Sequence, residues 1–312
     1  MKRSLLYLLT VLLFAVSCQR EDPSKKPISV LLKLDFDTEM TQWHYSEEDA
    51  MIVEETSQGD TYDNIVKGAA VRYIVMAVPA NGGDAVRAEF TDKVSDRYDN
   101  EFDLQLLPGS YDLMVWADLQ TSDSTCFYNA ADFKSITFLG EYTATTDLRD
   151  AFRGRGELTL EIESAPIEYT VLMERPLAKY EFKAIDLNKF PTARKIKINY
   201  SGFLPDTYDM SIDKPSDSAV NMYYESTLPE SVDGEVSLCY DYVFINGKQS
   251  AVTVQMKLYD GENNEVGLSD VMNVPLKRSH HTIVTGRFFT ATNAGNITFD
   301  PEFDGDHIIE MN

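Results

Sequence analysis

The side chains that could do chemistry in this 312-residue chain are four histidines, three cysteines and an excess of carboxylates. The histidines are His44, His280, His281 and His307. His280 and His281 are adjacent, so on a strand they point to opposite faces and one metal ion cannot take both. Acidic residues cluster at Asp260, Glu262 and Glu265, beside Asn263 and Asn264, and again at Asp300, Glu302, Asp304 and Asp306. Oxygen-rich loops can hold calcium, but neither cluster has the fixed glycine and closing glutamate of the twelve-residue calcium loop. The sequence has no nucleophile elbow, phosphate loop, Cys-x-x-Cys or His-Glu-x-x-His. The expectation is a chain that is not an enzyme and carries neither cofactor nor metal.

Cys18 is different. Lys2 and Arg3 precede an apolar run from Leu5 to Val16, broken only by Thr10, and Ala15-Val16-Ser17 leads into Cys18. Cations, a short apolar core and small residues before a cleavage point make a secretory signal. The run is shorter than the roughly 20 residues that cross a bilayer. Small residues directly before a cysteine resemble a bacterial lipobox. In such signals the cysteine is lipidated and becomes the first mature residue. The expectation is a signal peptide over 1–17 and a lipidated tether over 18–27, holding the protein to a membrane with no spanning helix. Gln19-Arg20-Glu21-Asp22 resembles the acidic export signal that sends lipoproteins to the outer face of the outer membrane. Cys126 and Cys239 lie far apart in sequence and are read as two separate thiols, although sequence alone does not fix connectivity.

The body of the chain must position these groups, and it alternates. The chain is 43% hydrophobic and 11% aromatic, enough for real cores, with a net charge of −23 from 51 acidic and 28 basic residues. Such a charge repels nucleic acid, whose binding needs phosphates neutralised by Lys and Arg. Over 28–37, Val30, Leu32, Leu34 and Phe36 fall on one face, which is the period of a strand. Residues 71–78 are almost continuously apolar, so both faces are expected to be covered. Further strands are expected over 87–91, 101–106, 111–118, 133–139 and 157–163. After Pro166 they are expected over 169–173, 179–185, 195–200, 235–245, 251–259, 266–274 and 281–290, with a tail strand over 295–299. Asn246-Gly247 reads as a hairpin turn and Asp260-Gly261 as another. One short helical turn is expected over 145–152, with Thr146 as N-cap. Residues 48–67 show no clean period and read as a surface loop. Many short strands between turns indicate all-β architecture, with two tandem β-sandwiches over 28–165 and 166–312.

Several segments together carry a family likeness: Leu107-Pro108-Gly109-Ser110-Tyr111, Val115-Trp116-Ala117-Asp118, Arg175-Pro176-Leu177-Ala178-Lys179-Tyr180, Val274-Pro275-Leu276-Lys277-Arg278-Ser279-His280-His281-Thr282, Gly295-Asn296-Ile297 and Phe303-Asp304-Gly305-Asp306-His307. With Cys18 and the first strand they resemble the fimbrillin-like and fimbrial-anchor lipoproteins of Bacteroides-type bacteria. The resemblance implies transthyretin-like (Greek-key) sandwiches and a part in pilus assembly or adhesion, with fimbrial subunits or other surface proteins as partners. Stalk subunits of that family are cut after an arginine and lose their first strand. Here the arginine after Arg20 is Arg72, inside an expected core strand, which suits an anchor or accessory subunit that keeps its first strand and its lipid. Partners would bind by β-strand addition, with Val30, Leu32, Leu34, Phe36, Ile297 and Phe299 at the partner-strand interface. The triplets Asp123-Ser124-Thr125 and Asp217-Ser218-Ala219 resemble O-glycosylation sites, with Ser124 and Ser218 as acceptors. The competing expectation is a stand-alone surface adhesin or glycan-binding module, in which Trp43 or Trp116 would stack on sugar. Trp116 is read as packed, because large aromatics are mostly buried.

Overall fold

Alternating side chains become strands over most of the chain. The computed structural model describes residues 26–46, 51–57, 69–93, 101–121, 125–162, 164–201, 205–216, 222–229, 234–245 and 249–290. The strands of the first half are β1 (Ile28–Phe36), β2 (Thr41–Ser46), β3 (Met51–Ser57), β4 (Ala70–Pro79), β5 (Val86–Lys93), β6 (Glu101–Leu106), β7 (Gly109–Gln120), β8 (Tyr128–Asn129), β9 (Ile136–Phe138) and β10 (Ala151–Leu160). Then come β11 (Ile167–Glu174), β12 (Leu177–Ala184), β13 (Ala193–Tyr200), β14 (Thr207–Asp209), β15 (Lys214–Pro215) and β16 (Tyr223–Thr227). The last are β17 (Val236–Phe244), β18 (Gln249–Asp260), β19 (Glu265–Leu268), β20 (Met272–Lys277) and β21 (His280–Gly286).

Seven strands form the first sandwich in the order β5-β4-β7-β10-β11-β1-β6. They are two layers of one sheet, because β10 and β11 share only the pairs Arg153↔Glu174 and Gly154↔Met173. The sheet turns a corner there and folds back on itself. Its two outermost strands meet over the core, where Phe90 of β5 stacks on Phe102 of β6 with ring centroids 4.6 Å apart. Gly154 permits the corner: a Cβ at this position would lie 2.5 Å from Val171 Cγ1 and 2.9 Å from the Leu172 carbonyl oxygen. The enclosed core includes Val30, Leu32, Val75, Leu104, Val115, Leu158 and Val171.

The second sandwich packs the sheet β17-β12-β21-β2-β3 on the sheet β16-β13-β18-β19, to which β20 adds along β18. Tyr180, Phe182, Ile196, Leu238, Val252, Met256 and Val274 fill the space between them. A small sheet, β15-β14-β9-β8, takes strands from both halves of the chain. Beneath it a third cluster, with Met40, Ile74, Trp116, Tyr128, Tyr208 and Phe244, packs one sandwich against the other. Strand β4 is apolar on both faces for this reason. Tyr73 and Val75 point into the first core and Ile74 into the junction.

The all-β plan with two sandwiches is the one expected, but its boundaries differ. The division at Pro166 is corrected to one between Arg175 and Pro176. Strand β11 pairs with β1 and β10 and so belongs to the first sheet. Pro166 lies just outside that strand, where its missing N–H costs no ladder bond. The halves are also interleaved, since β2 and β3 join the second sandwich through the parallel pairing of β2 with β21. Residues 51–57, expected in a loop, are therefore strand. Asn246-Gly247 does not connect a hairpin. Strand β17 pairs with β12 and β18 with β13, so that connection passes from one sheet to the other. The expected strand over 266–274 is broken into β19 and β20, with Ser269 Oγ accepting from the Met256 N–H at 2.9 Å. The helical turn is a single 3-10 turn at Asp147–Arg149, capped by the Thr146 hydroxyl as the sequence indicates.

Candidate functional site

Strand β1 is the first of the described strands. It lies between β6 and β11, antiparallel to one and parallel to the other. Its main chain is thus bonded on both edges, and β1 presents no free edge of its own. Val30 and Leu32 are fully buried, Leu34 is nearly so, and Phe36 packs partly buried against the same core. Phe36 meets the Phe152 ring edge-on at 5.0 Å. Each such aliphatic burial contributes about 1.5–3 kcal/mol. Outward-facing groups tie β1 across both neighbours. Lys33 reaches Glu168 on β11 at 2.9 Å and Glu101 on β6 at 3.5 Å, and Ser29 donates to Asp103 at 2.9 Å. The result is a strand-shaped groove, apolar on its floor and lined by main-chain donors and acceptors, filled by the N-terminal strand of the same chain.

The exit from this groove is clamped by a residue whose role the sequence did not show. Arg175 is 2% exposed. Its Nη1 donates to the carbonyl oxygens of Thr38 and Glu39 at 3.0 and 3.1 Å, holding the loop that carries the chain from β1 to β2. Its Nε donates to both oxygens of Asp150 at 2.9 Å, and its face lies over the Phe152 ring. Burial raises the Asp150 carboxyl above the ordinary range, and the Arg175 charge opposes that rise.

The other candidates are scattered. Trp116 is fully buried and donates its indole N–H to Asp118 at 2.9 Å, so it offers no stacking platform. Arg72 is buried within β4 and paired with Asp118. The Asp260 carboxylate accepts from the N–H groups of Glu262 and Asn264 and from the Asn264 amide, which commits it to the turn. Among the described residues no group of three or more His, Cys, Asp or Glu is placed to hold a metal ion. His281 is buried with its Nε2 3.3 Å from Glu181, while His280 lies half-buried with its ring nitrogen against the Arg278 carbonyl oxygen at 2.7 Å. Cys126 and Cys239 are not joined in a disulfide. Cys18, Ser124, Ser218, Ile297, Phe299 and His307 lie outside the described residues. The geometry brings together a groove and its filling strand.

Comparison with known proteins gives the following. The profile of a family of unknown function, DUF6562, matches residues 27–312. A search of the curated proteins found no match. Solved structures with a related course of the chain include a candidate adhesin from Bacteroides ovatus, 15% identical, covering 82% of this chain and 87% of that one with a TM-score of 0.48. A candidate cell adhesion protein from Bacteroides eggerthii is 13% identical over 90% of this chain and 93% of its own, with a TM-score of 0.45. The fimbrial anchor protein Mfa2 from Porphyromonas gingivalis is 12% identical over 78% and 82%, with a TM-score of 0.41.

Proposed function

The chain belongs to DUF6562, a family of unknown function, and we propose that it is a non-catalytic lipoprotein of the outer cell surface that anchors or accompanies a fimbria. Cys18 carries the lipid, and β1 begins only ten residues later, at Ile28. The carrying observation is the seating of β1. A terminal strand, bonded on both edges and buried along one face, closes a groove that would otherwise expose a full ladder of main-chain donors and acceptors. A sandwich that keeps this strand has its own groove filled, as an anchor requires. It then binds partners through another strand or edge. The segment after Ala294, with Ile297 and Phe299 alternating with Asn296 and Thr298, supplies the strand for a partner's groove. Fimbrial subunits or other surface proteins are the partners.

Two variants in the native bacterium test this reading. Cys18→Ala should move the protein from the membrane fraction to the soluble fraction and abolish fatty-acid labelling. Truncation after Ala294 should leave a folded, surface-displayed protein whose cells retain fewer fimbriae. Fimbriae held as firmly by the truncated protein as by the full chain would sink the anchor role.

A further inference from the structure

One end of the first sandwich gathers the start of β1 and three turns. Ile28 pairs with Leu106 and Val30 with Ile167, Gly109 pairs with Leu160, and Pro79 and Ala77 pair with Tyr111 and Val86. The entry to β1, the β4–β5 turn, the β6–β7 turn and the β10–β11 turn therefore lie together there. The chain leaves the first sandwich for the second at the opposite end, after Phe36 and after Glu174.

Each of the three turns at this end exposes one large apolar side chain: Val86 at 40%, Leu107 at 45% and Ile162 at 55%. Single exposed apolar residues are ordinary. Here three of the nine found among the described residues share one end of one sandwich. They surround the strand that follows the tether. Leu107 follows β6 and Ile162 precedes β11, the two strands that flank β1. Val86 begins β5, whose Phe90 stacks on Phe102 of β6. Each of the four segments also carries a proline: Pro27, Pro79, Pro108 and Pro166. Proline has no backbone N–H, so segments pressed on a medium that cannot hydrogen-bond bury fewer unpaired donors. The charges among their described residues are Lys26, Asp84 and Glu161. This end is thus close to neutral on a chain whose net charge is −23.

We propose that this end is a membrane-contact face, on which Val86, Leu107 and Ile162 settle into the boundary between headgroups and acyl chains. The inference rests on the lipid attachment at Cys18 proposed above, and not on the fimbrial role. Cys18 lies ten residues before Ile28, a span of at most about 35 Å, so the tether draws this end of the molecule to the bilayer. Apolar side chains at that boundary bind in proportion to the area they bury. A tether alone leaves the sandwich free to tumble. Three contacts around the tether fix its orientation, with the second sandwich directed away from the membrane. The acidity of the whole chain opposes approach to an anionic surface, so the face fits a bilayer of neutral headgroups.

The test couples the chain from Cys18 onward, carrying Cys126→Ser, through the Cys18 thiol to a maleimide phospholipid in phosphatidylcholine vesicles. It reads the quenching of an introduced tryptophan by brominated acyl chains, above the background of Trp43 and Trp116. Coupling supplies the tether whether or not the cell attaches lipid. A failure here therefore falls on the contact face, whereas absent fatty-acid labelling of the native protein falls on the lipoprotein reading. Ile162→Trp should be quenched several-fold more strongly than the control Ile212→Trp. Ile212 is 65% exposed, in a turn that Asp213 pins to Arg153 and Arg278, away from this end. Adding Leu107→Asp to Ile162→Trp should cut the quenching several-fold. High salt should leave the quenching of Ile162→Trp unchanged, because the contact is apolar and not between charges. Equal quenching of the two tryptophans, none in Ile162→Trp, no effect of Leu107→Asp, or loss of quenching in salt overturns the proposal.

Discussion

The two sandwiches, one a single sheet folded back on itself and the other a pair of separate sheets, are filled differently. The core of the first is almost wholly aliphatic and aromatic carbon, with Tyr111 turning its hydroxyl out to the Leu107 carbonyl oxygen at 2.9 Å. The second buries polar groups in its centre. Tyr142 and Tyr200 both donate to Asp241, and the Tyr180 hydroxyl bridges those of Tyr200 and Tyr224. Arg149, 2% exposed, lies between the rings of Phe138 and Tyr142, 4.3 and 4.1 Å from their centroids, with Asp241 at 3.6 Å. Burial drives the Asp241 carboxyl and its tyrosine neighbours upward, while Arg149 pulls Asp241 back. A rolled apolar sheet can close around many packings of similar volume. A buried ion pair with fixed hydrogen bonds accepts very few. The difference teaches where the molecule fixes its shape: loosely in the first core, tightly where the second meets the junction.

Breaking that network gives the largest expected effect. Asp241→Ala leaves Arg149 charged, buried and unpaired, and should cost about 3–5 kcal/mol in urea unfolding. Leu104→Ala in the first core costs about 2–5 kcal/mol through its cavity. The comparison sharpens with the double variant Arg149→Met, Asp241→Leu. If the network specifies shape more than it stabilises, this variant recovers most of the loss. A double variant as unstable as the single one would show the pair to be a net source of stability.

Gly154 breaks the first sandwich instead. A Cβ there meets a backbone oxygen at 2.9 Å as well as two side chains. Gly154→Ala should cost about 1–3 kcal/mol or more, because the corner has to open. Gly261→Ala, where a Cβ meets nothing within 4 Å, is the neutral control. Equal midpoints for the two would mean that the corner yields freely.

These contrasts also mark what could be read from the residues. Strand faces were legible wherever alternation was unbroken, as in Val30, Leu32 and Leu34. The doubly covered β4 was legible from its continuous apolar run, and the capped turn at Thr146 from a hydroxyl before an acid. Pairing was not legible. Strand β11 sits beside β1, more than 130 positions away, in a parallel register that no local pattern encodes. The Asn246-Gly247 signal is local and was overridden, since β17 and β18 bury their apolar faces against each other from opposite sheets. Arg175 and Asp213 looked like ordinary charges, because their partners are assembled only by tertiary contact.

The thiols report the same contrast on a smaller scale. Burial pushes the Cys239 thiol up to about 12, and it is fully enclosed in the second core. Cys126 is half-buried near the junction, its sulfur 3.0 Å from the Gln120 amide nitrogen. With Cys18 replaced by alanine, a thiol reagent at mildly alkaline pH should modify Cys126 first. Cys239 should react only at the rate at which the second sandwich opens, since the thiolate is the reactive form. Simultaneous labelling of both would mean that the second core opens as easily as the rim of the junction.

The smallest expected effect concerns acid. Burial opposes the charge on Glu181, but hydrogen bonds from His281 and Ser237 outweigh it and hold the carboxyl at about 2, below its ordinary 4.5. A carboxyl lowered in the folded state adds stability that is present above its unfolded value and disappears as the pH falls to its folded value. The stability difference between wild type and Glu181→Gln should therefore shrink as the pH falls from about 4.5 to 2. Glu168 in the first sandwich pairs with Lys33 in the open, its side chain 66% exposed, so Glu168→Gln should barely alter the profile. Urea midpoints measured across that pH range for the three proteins decide it. A wild-type-minus-Glu181→Gln difference that stays flat down to pH 2 would show that the His281 contact does not hold the carboxylate. The tight packing of the second sandwich would then rest on the Asp241 network alone.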